Sequence, residues 1–75
     1  MTRDEHMKWC KNRALEELEF YRRTAPWQGA ISMMSDLKKH PETKNHAGIK
    51  LTGTLLIAGL LKSYEQVKKH IEGFN

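Results

Sequence analysis

The sequence predicts an all-α protein, a compact bundle of four helices of which the last is short. Apolar residues recur at spacings of three and four in four successive segments, the pattern of helices with one buried face. No segment alternates apolar and polar residues as a half-buried strand would. The predicted helices span residues 3–22, 25–40, 46–59 and 64–72 of a single domain, 1–75.

The first predicted helix begins after Thr2. Thr2 and Glu5 have the spacing of a capping box, in which each side chain bonds the other's backbone amide. The inward face then follows at helical spacing, and Leu15 widens it. Its predicted members are Met7, Cys10, Ala14, Leu18 and Tyr21.

In the second helix, Thr24 is the predicted cap and Pro26 is tolerated in the first turn, where a proline's missing amide hydrogen would be unpaired. Pro41 ends the helix, because it disfavours helical geometry at His40. Gly29 inside the helix suggests a close approach to another helix. The predicted inward face is Trp27, Ala30, Ile31, Met34 and Leu37.

The third helix is expected to be the most buried, because its apolar residues extend around most of the circumference. Asn45 is a plausible cap and Thr43 an alternative. Gly59 is expected to end the helix in the left-handed conformation, with Leu60 folding back. The inward residues are predicted to be Ile49, Thr52, Leu55, Leu56 and Leu60.

The fourth helix begins with a second capping box, Ser63 with Gln66. Val67 and Ile71 are expected to face inward, and the helix ends before Gly73. Phe74 is expected to fold back onto the core, as the residue after such a glycine often does.

Size and cysteine content restrict the class of protein. A chain of 75 residues buries only about 60% of its unfolded surface, so a homo-oligomer that enlarges the core is expected. Cys10 is the one cysteine, and no basic segment followed by an apolar run opens the chain, so a cytoplasmic protein is predicted. The most apolar run, 51–61, has 11 residues, fewer than the ~20 that span a bilayer.

Catalytic and metal-binding patterns are weak. His6 and Cys10 lie four residues apart on one helix, and His40, His46 and His70 could complete a tetrahedral site. However, no second close-spaced pair exists, and burial of Cys10 on an apolar face would raise its pKa. The sequence therefore predicts neither an enzyme nor a cofactor or metal.

The positive charge suggests acidic partners. The net charge is +4, and residues 38–75 carry seven lysines against three acidic residues. Trp9 and Met33 lie beside the apolar faces of their helices and would be anchors for a partner protein if they are exposed, or core residues if they pack inside. The positive side chains expected to attract an acidic protein surface are Lys38, Lys39, His40, Lys44 and His46.

Nucleic acid is the alternative partner. The third and fourth helices, joined by a short turn containing glycine, could dock like a helix-turn-helix. Lys62, Lys68 and Lys69 would contact phosphate, and Gln66 could reach a base edge. Glu65 on the same short helix argues against this arrangement.

Three segments carry a resemblance to a known group of proteins. "TRDEHMKWCKNRALE", "SMMSDLKKHPETKNHAGIKL" and the ending "IEGFN" together resemble a group of small uncharacterised helical proteins of actinobacterial phages, prophages and their hosts. The resemblance implies a phage or prophage setting and a cytoplasmic protein, and it brings no catalytic residue. The leading hypothesis is therefore a non-enzymatic protein that binds a host or phage protein, such as a defence component or a regulator.

Overall fold

The computed structural model describes residues 2–74 and contains four α-helices. They are α1 (Arg3–Phe20), α2 (Gln28–Lys38), α3 (Ala47–Ile57) and α4 (Tyr64–Glu72). The predicted all-α four-helix architecture is confirmed, and α4 has the predicted bounds. α1 ends two residues earlier than predicted, and α2 and α3 are shorter at both ends. No helix among residues 2–74 is long and apolar enough to cross a membrane.

Both predicted capping boxes are present. Thr2 Oγ1 accepts the amide hydrogen of Glu5 at 3.1 Å, and Glu5 Oε1 accepts that of Thr2 at 3.2 Å. At α4, Ser63 Oγ accepts from the Gln66 amide at 3.2 Å, and Gln66 Oε1 accepts from the Ser63 amide at 3.1 Å. These reciprocal bonds satisfy amides that the first turn of a helix leaves unpaired.

The predicted caps of α2 and α3 are wrong. Thr24 does not cap α2, whose first turn follows Trp27 without a side-chain cap. At α3, the capping residue is His46 rather than Asn45 or Thr43, and its Nδ1 accepts from the Gly48 amide at 2.8 Å. An imidazole nitrogen can accept a hydrogen bond as a hydroxyl can, which the usual list of capping residues does not anticipate.

Thr43 closes the end of α2 instead of starting α3. It is fully buried, and its hydroxyl donates to the carbonyl oxygen of Leu37 at 2.6 Å. That carbonyl belongs to the last turn of α2, where backbone acceptors lack helical partners. The loop after Pro41 is therefore fixed to the helix that precedes it.

α1 and α2 approach closely at Gly29. A Cβ atom added at Gly29 would lie 3.0 Å from the carbonyl oxygen of Ala14 and 3.1 Å from Leu18 Cβ. This confirms the predicted close approach, which only a residue without a side chain permits at this spacing. The apolar core around this contact draws on all four helices and two turns. Its members are Met7, Cys10, Ala14, Leu18, Ala30, Met33, Leu37, Ile49, Leu61, Val67, Ile71 and Phe74.

The buried face of α2 is rotated relative to the prediction. Met33 is fully buried, whereas Trp27 and Ile31 are exposed and Met34 is half-buried. The expectation that Met33 anchors a partner at the surface is therefore wrong. The physical reason is the Gly29 contact, because it turns Ala30, Met33 and Leu37 of α2 toward α1.

α3 is not the most buried helix, contrary to the prediction. Of its residues only Ile49 and Thr52 are buried, and α2 is the one helix whose Cα atoms come within 8 Å of it among residues 2–74. Ile57 is 91% exposed, Leu51 55% and Leu60 54%. Because only α2 lies against its backbone within the described residues, the outer part of the apolar circumference of α3 remains in contact with water.

The turn after α3 has the predicted geometry with a different anchor. Gly59 has a φ of 76°, in the left-handed region. The Leu60 amide bonds the Leu55 carbonyl at 2.9 Å and the Gly59 amide bonds that of Leu56 at 3.2 Å, the two bonds of a Schellman motif. Leu60 stays exposed, and Leu61 enters the core in its place. Phe74 is buried, as predicted.

Two glycine substitutions should change stability in opposite directions. Gly29→Ala should lower the free energy of unfolding by about 1 kcal/mol, because the new Cβ forces α1 and α2 apart. A Cβ atom added at Gly53, inside α3, would lie within 4 Å of no other atom. Gly53→Ala should therefore raise the free energy of unfolding by up to about 1 kcal/mol, because alanine has the higher helix propensity. Urea unfolding of both variants tests this, and a stabilised Gly29→Ala variant would contradict the close approach.

Candidate interaction surface around Trp9

An exposed tryptophan lies among cations on one side of the bundle. Trp9 is 41% exposed, and the guanidinium carbon of Arg13 lies 5.1 Å from its ring centroid, one helical turn further along α1. Lys39 and His40 come from the end of α2. We call these four residues the Trp9 surface.

A buried carboxylate connects the cations of this surface. Asp36 is almost completely buried, and its Oδ2 accepts from Arg13 Nε at 2.9 Å. Its Oδ1 lies 3.6 Å from Lys39 Nζ. A buried carboxylate requires such partners, because desolvation of an unpaired charge is costly. Asp36 therefore pairs with Arg13, which lies over Trp9, and with Lys39 at the end of α2.

His6 supports the surface from below. Its ring is buried and stacks on His40 with centroids 4.4 Å apart and on Trp9 with centroids 5.8 Å apart. His6 Nε2 lies 3.2 Å from the carbonyl oxygen of Asp36, within hydrogen-bond distance. The stack of three rings joins α1 to the end of α2 and fixes the orientation of Trp9.

The structure brings together some of the sequence-predicted residues and separates others. Trp9, Lys39 and His40 form one surface, and Lys38 and Lys44 are exposed on the same stretch of chain. His46 belongs elsewhere, because it caps α3 and its ring lies 4.9 Å from that of Phe74.

Sequence reasoning missed Arg13 as a member of this surface, and His6 and Asp36 as the buried residues that support it. Two local signals pointed to them: Trp9 and Arg13 are four residues apart, and Asp36 and Lys39 are three apart, both helical spacings. The pairing of Arg13 with Asp36 spans 23 residues and depends on how the two helices pack.

The histidines form two clusters that do not converge on one metal site. His6 Nε2 lies 3.4 Å from Cys10 Sγ, yet among residues 2–74 no three His, Cys, Asp or Glu side chains could hold a metal ion together. Cys10 is fully buried, and burial raises its pKa to about 11. The thiol therefore stays protonated at neutral pH, as expected of a core cysteine.

The second histidine cluster joins α3 to α4. Thr52 donates its hydroxyl hydrogen to the Gly48 carbonyl at 2.7 Å, and His70 Nε2 lies 2.7 Å from the same hydroxyl oxygen. With the threonine hydrogen engaged, His70 Nε2 is the donor in that contact. Burial lowers the pKa of His70 below its ordinary value. The cluster stabilises the packing of α3 and lies apart from Trp9.

The residues of the nucleic-acid hypothesis are partly engaged in the fold. Gln66 Oε1 accepts from the Lys62 and Ser63 amides, each at 3.1 Å, so the side chain that would read a base caps α4 instead. Lys68 Nζ lies 5.8 Å from the ring centroid of Tyr64. Lys68 and Lys69 also line a shallow depression together with Glu65 and Glu72, whose carboxylates reduce its positive charge.

A groove lies on the opposite side of α1 from Trp9. It has a volume of about 500 Å³ and an apolar floor of Met7, Leu15 and Phe74. Lys11 crosses its edge to donate to the carbonyl oxygen of Glu72 at 3.1 Å, which ties α1 to the end of α4. The groove gathers no cluster of histidine, cysteine or paired carboxylate side chains.

Comparison with known proteins adds no relative. No protein-family model, no curated protein and no solved structure matches this chain. A function for this chain must therefore be inferred from its own sequence and side chains.

Removal of Arg13 should destabilise the fold. Arg13→Ala leaves the buried carboxylate of Asp36 with Lys39 alone, so the free energy of unfolding should fall by about 1–2 kcal/mol. A double-mutant cycle with Asp36→Asn should give a coupling energy of about 1 kcal/mol. Arg3→Ala is the matched control, because Arg3 pairs with an exposed Asp4 and should change stability little. Equal effects of the two arginine substitutions would contradict the role of Asp36.

Stability should fall as pH is lowered through the titration of His70. The unfolded chain restores the ordinary pKa of about 6.5, so below that pH the unfolded state binds more protons than the folded state. The free energy of unfolding should therefore decrease from about pH 7.5 toward pH 5. His70→Gln retains a donor for Thr52 and should show a smaller decrease in urea unfolding. An identical pH dependence in both proteins would contradict the prediction.

Proposed function

We propose that this chain is a small non-enzymatic protein that acts by binding an acidic surface of another protein, with Trp9 as its anchor. The observation that carries this proposal is the Trp9 surface, in which the exposed Trp9 lies beside Arg13, and Arg13 shares the carboxylate of Asp36 with Lys39. Tryptophan and arginine are the residues that most often dominate the free energy of binding at protein interfaces.

The buried residues that contact the Trp9 surface favour binding, because they hold its side chains in place. Asp36 restrains Arg13 and Lys39, and His6 restrains the rings of Trp9 and His40. Side chains that are already ordered lose less conformational entropy when a partner binds. Cations at the rim increase the rate of encounter with an acidic surface, and Lys38 and Lys44 add to that field.

The resemblance of the sequence to small helical proteins of actinobacterial phages and prophages supplies the setting. In that setting the partner is a host or phage protein in the bacterial cytoplasm, such as a defence component or a regulator. The absence of a reactive thiol favours binding over covalent chemistry at Cys10, whose pKa is about 11.

The experiment that tests this function compares two double lysine variants of equal charge. Lys38→Ala/Lys39→Ala removes charge from the proposed surface, and Lys68→Ala/Lys69→Ala removes the same charge from α4. Each is used with wild type and Trp9→Ala to capture proteins from an actinobacterial lysate, and the affinity for the captured protein is then measured by calorimetry. Circular dichroism confirms that every variant is folded, since Lys39 also contacts Asp36.

Trp9→Ala should raise the dissociation constant for the captured protein by about tenfold or more. The Lys38/Lys39 variant should bind more slowly and with less salt dependence, while the Lys68/Lys69 variant should bind as wild type does. Capture that survives Trp9→Ala unchanged would refute the proposed surface. Binding to generic duplex DNA at low salt, lost in the Lys68/Lys69 variant alone, would establish the nucleic-acid alternative instead.

A further inference from the structure

The outer face of α3 is apolar and uncovered. We define this face by six exposed residues that share one side of the helix: Ala47, Lys50, Leu51, Thr54, Ile57 and Ala58. Ile57 and Leu51 of this face, with Leu60 in the turn that follows α3, are exposed to water. Their combined exposed area is about that of two whole large side chains. Monomeric proteins rarely leave such a contiguous apolar patch open.

The charge of this face differs from that of the rest of the chain. Lys50 is the one charged residue from 45 to 61, whereas 29% of the whole sequence is charged. An acidic partner of the kind proposed for Trp9 would find almost no charge to pair with here. A face that is nearly neutral and apolar fits an equally neutral, apolar surface, and a second copy of the chain presents one.

We infer that the outer face of α3 is a homodimer interface in which two copies of α3 pack antiparallel about a two-fold axis near Thr54. In a two-fold interface the same patch serves both partners, so it must complement itself. Small residues lie along the middle of the face, Ala47, Thr54 and Ala58, with Leu51 and Ile57 at its two edges. This shape lets Leu51 of one copy pack beside Ala58 of the second copy.

Antiparallel packing also separates the two Lys50 side chains, which are the charged groups of the paired faces. Lys50 lies four residues before Thr54, so at a rise of about 1.5 Å per residue the two Lys50 side chains are attached about 12 Å apart along the helix axes. Their separation exceeds the ~8 Å Debye length at physiological salt, which weakens their repulsion. A parallel pair would place them side by side.

The interface would need only a modest share of the surface. A weak specific dimer buries about 600 Å² per partner and a standard one about 800 Å². These values correspond to about an eighth to a sixth of the 4946 Å² surface of this chain. Leu51 and Ile57 supply the apolar area that such an interface needs, on either side of the small central residues, and Lys50 supplies part of a polar rim. The chain is also small, so a second copy would enlarge its limited core.

Sedimentation velocity of the whole chain, at ~1 to ~500 μM, tests the dimer over the range in which an interface of this size would dissociate. Wild type should shift from monomer to dimer with concentration. Ile57→Lys should raise the dissociation constant of the dimer by about tenfold or more. The variant should stay folded, because Ile57 is already exposed in the single chain. Phe20→Lys is the matched control, since Phe20 is 79% exposed on α1 and should leave the dimer unchanged.

A cross-linking experiment tests the symmetry. Thr54→Cys should form a disulfide-linked dimer under mild oxidation, because each Thr54 faces that of the second copy. Thr24→Cys, exposed at the turn before α2, should not, and buried Cys10 should leave wild type unlinked. A wild type that stays monomeric at the highest concentration, or a dimer that Ile57→Lys leaves intact, would overturn the inference. Binding of a monomeric wild type to neutral phosphatidylcholine vesicles would do so as well, with a lipid surface as the occupant.

This inference is independent of the proposed function. Trp9→Ala should leave the dimer intact, and Ile57→Lys should retain capture of the partner protein. A failure of one surface is therefore distinguishable from a failure of the other.

Discussion

The close approach of α1 and α2 at Gly29 is the contact on which the rest of this structure depends. Because Gly29 has no side chain, the backbone of α2 lies against Ala14 and Leu18 of α1. That distance brings Asp36 within 2.9 Å of Arg13 Nε and lets His6 stack on His40. A larger separation would leave a buried carboxylate without its closest cation. The polar groups between the helices therefore depend on an apolar contact.

The same polar groups link stability to the proposed binding. Asp36 and His6 are buried, and both have hydrogen-bond partners, so neither carries the full cost of desolvation. They also restrain the exposed side chains above them. Because Arg13 is a structural partner of Asp36 and a neighbour of Trp9, a substitution there alters both folding and the surface. When a variant at this site loses binding, a measurement of its stability must therefore separate the effect on folding from the effect on the surface.

Local signals predicted the fold well, and nonlocal contacts account for what they missed. Capping boxes at Thr2 and Ser63 are set by residues three apart, so the sequence alone reveals them. Periodicity predicts which residues share a face but not which helix covers that face. It therefore misjudged Met33, whose burial depends on how α2 is turned against α1. The pairing of Arg13 with Asp36 could not be predicted for the same reason, whereas Trp9, Lys39 and His40 were already candidate partner-binding residues in the sequence.

The misjudged burial of α3 has a physical explanation that connects to its proposed role. A helix with apolar residues around most of its circumference is usually buried on all sides. Within residues 2–74, α3 has only α2 against its backbone, so Ile57 and Leu51 remain exposed. The sequence thus indicates correctly how much apolar surface α3 carries, while burial of its outer face requires atoms from outside the single chain. Since that face is nearly uncharged and the Trp9 surface is cationic, a second copy and an acidic partner would not compete for the same side chains.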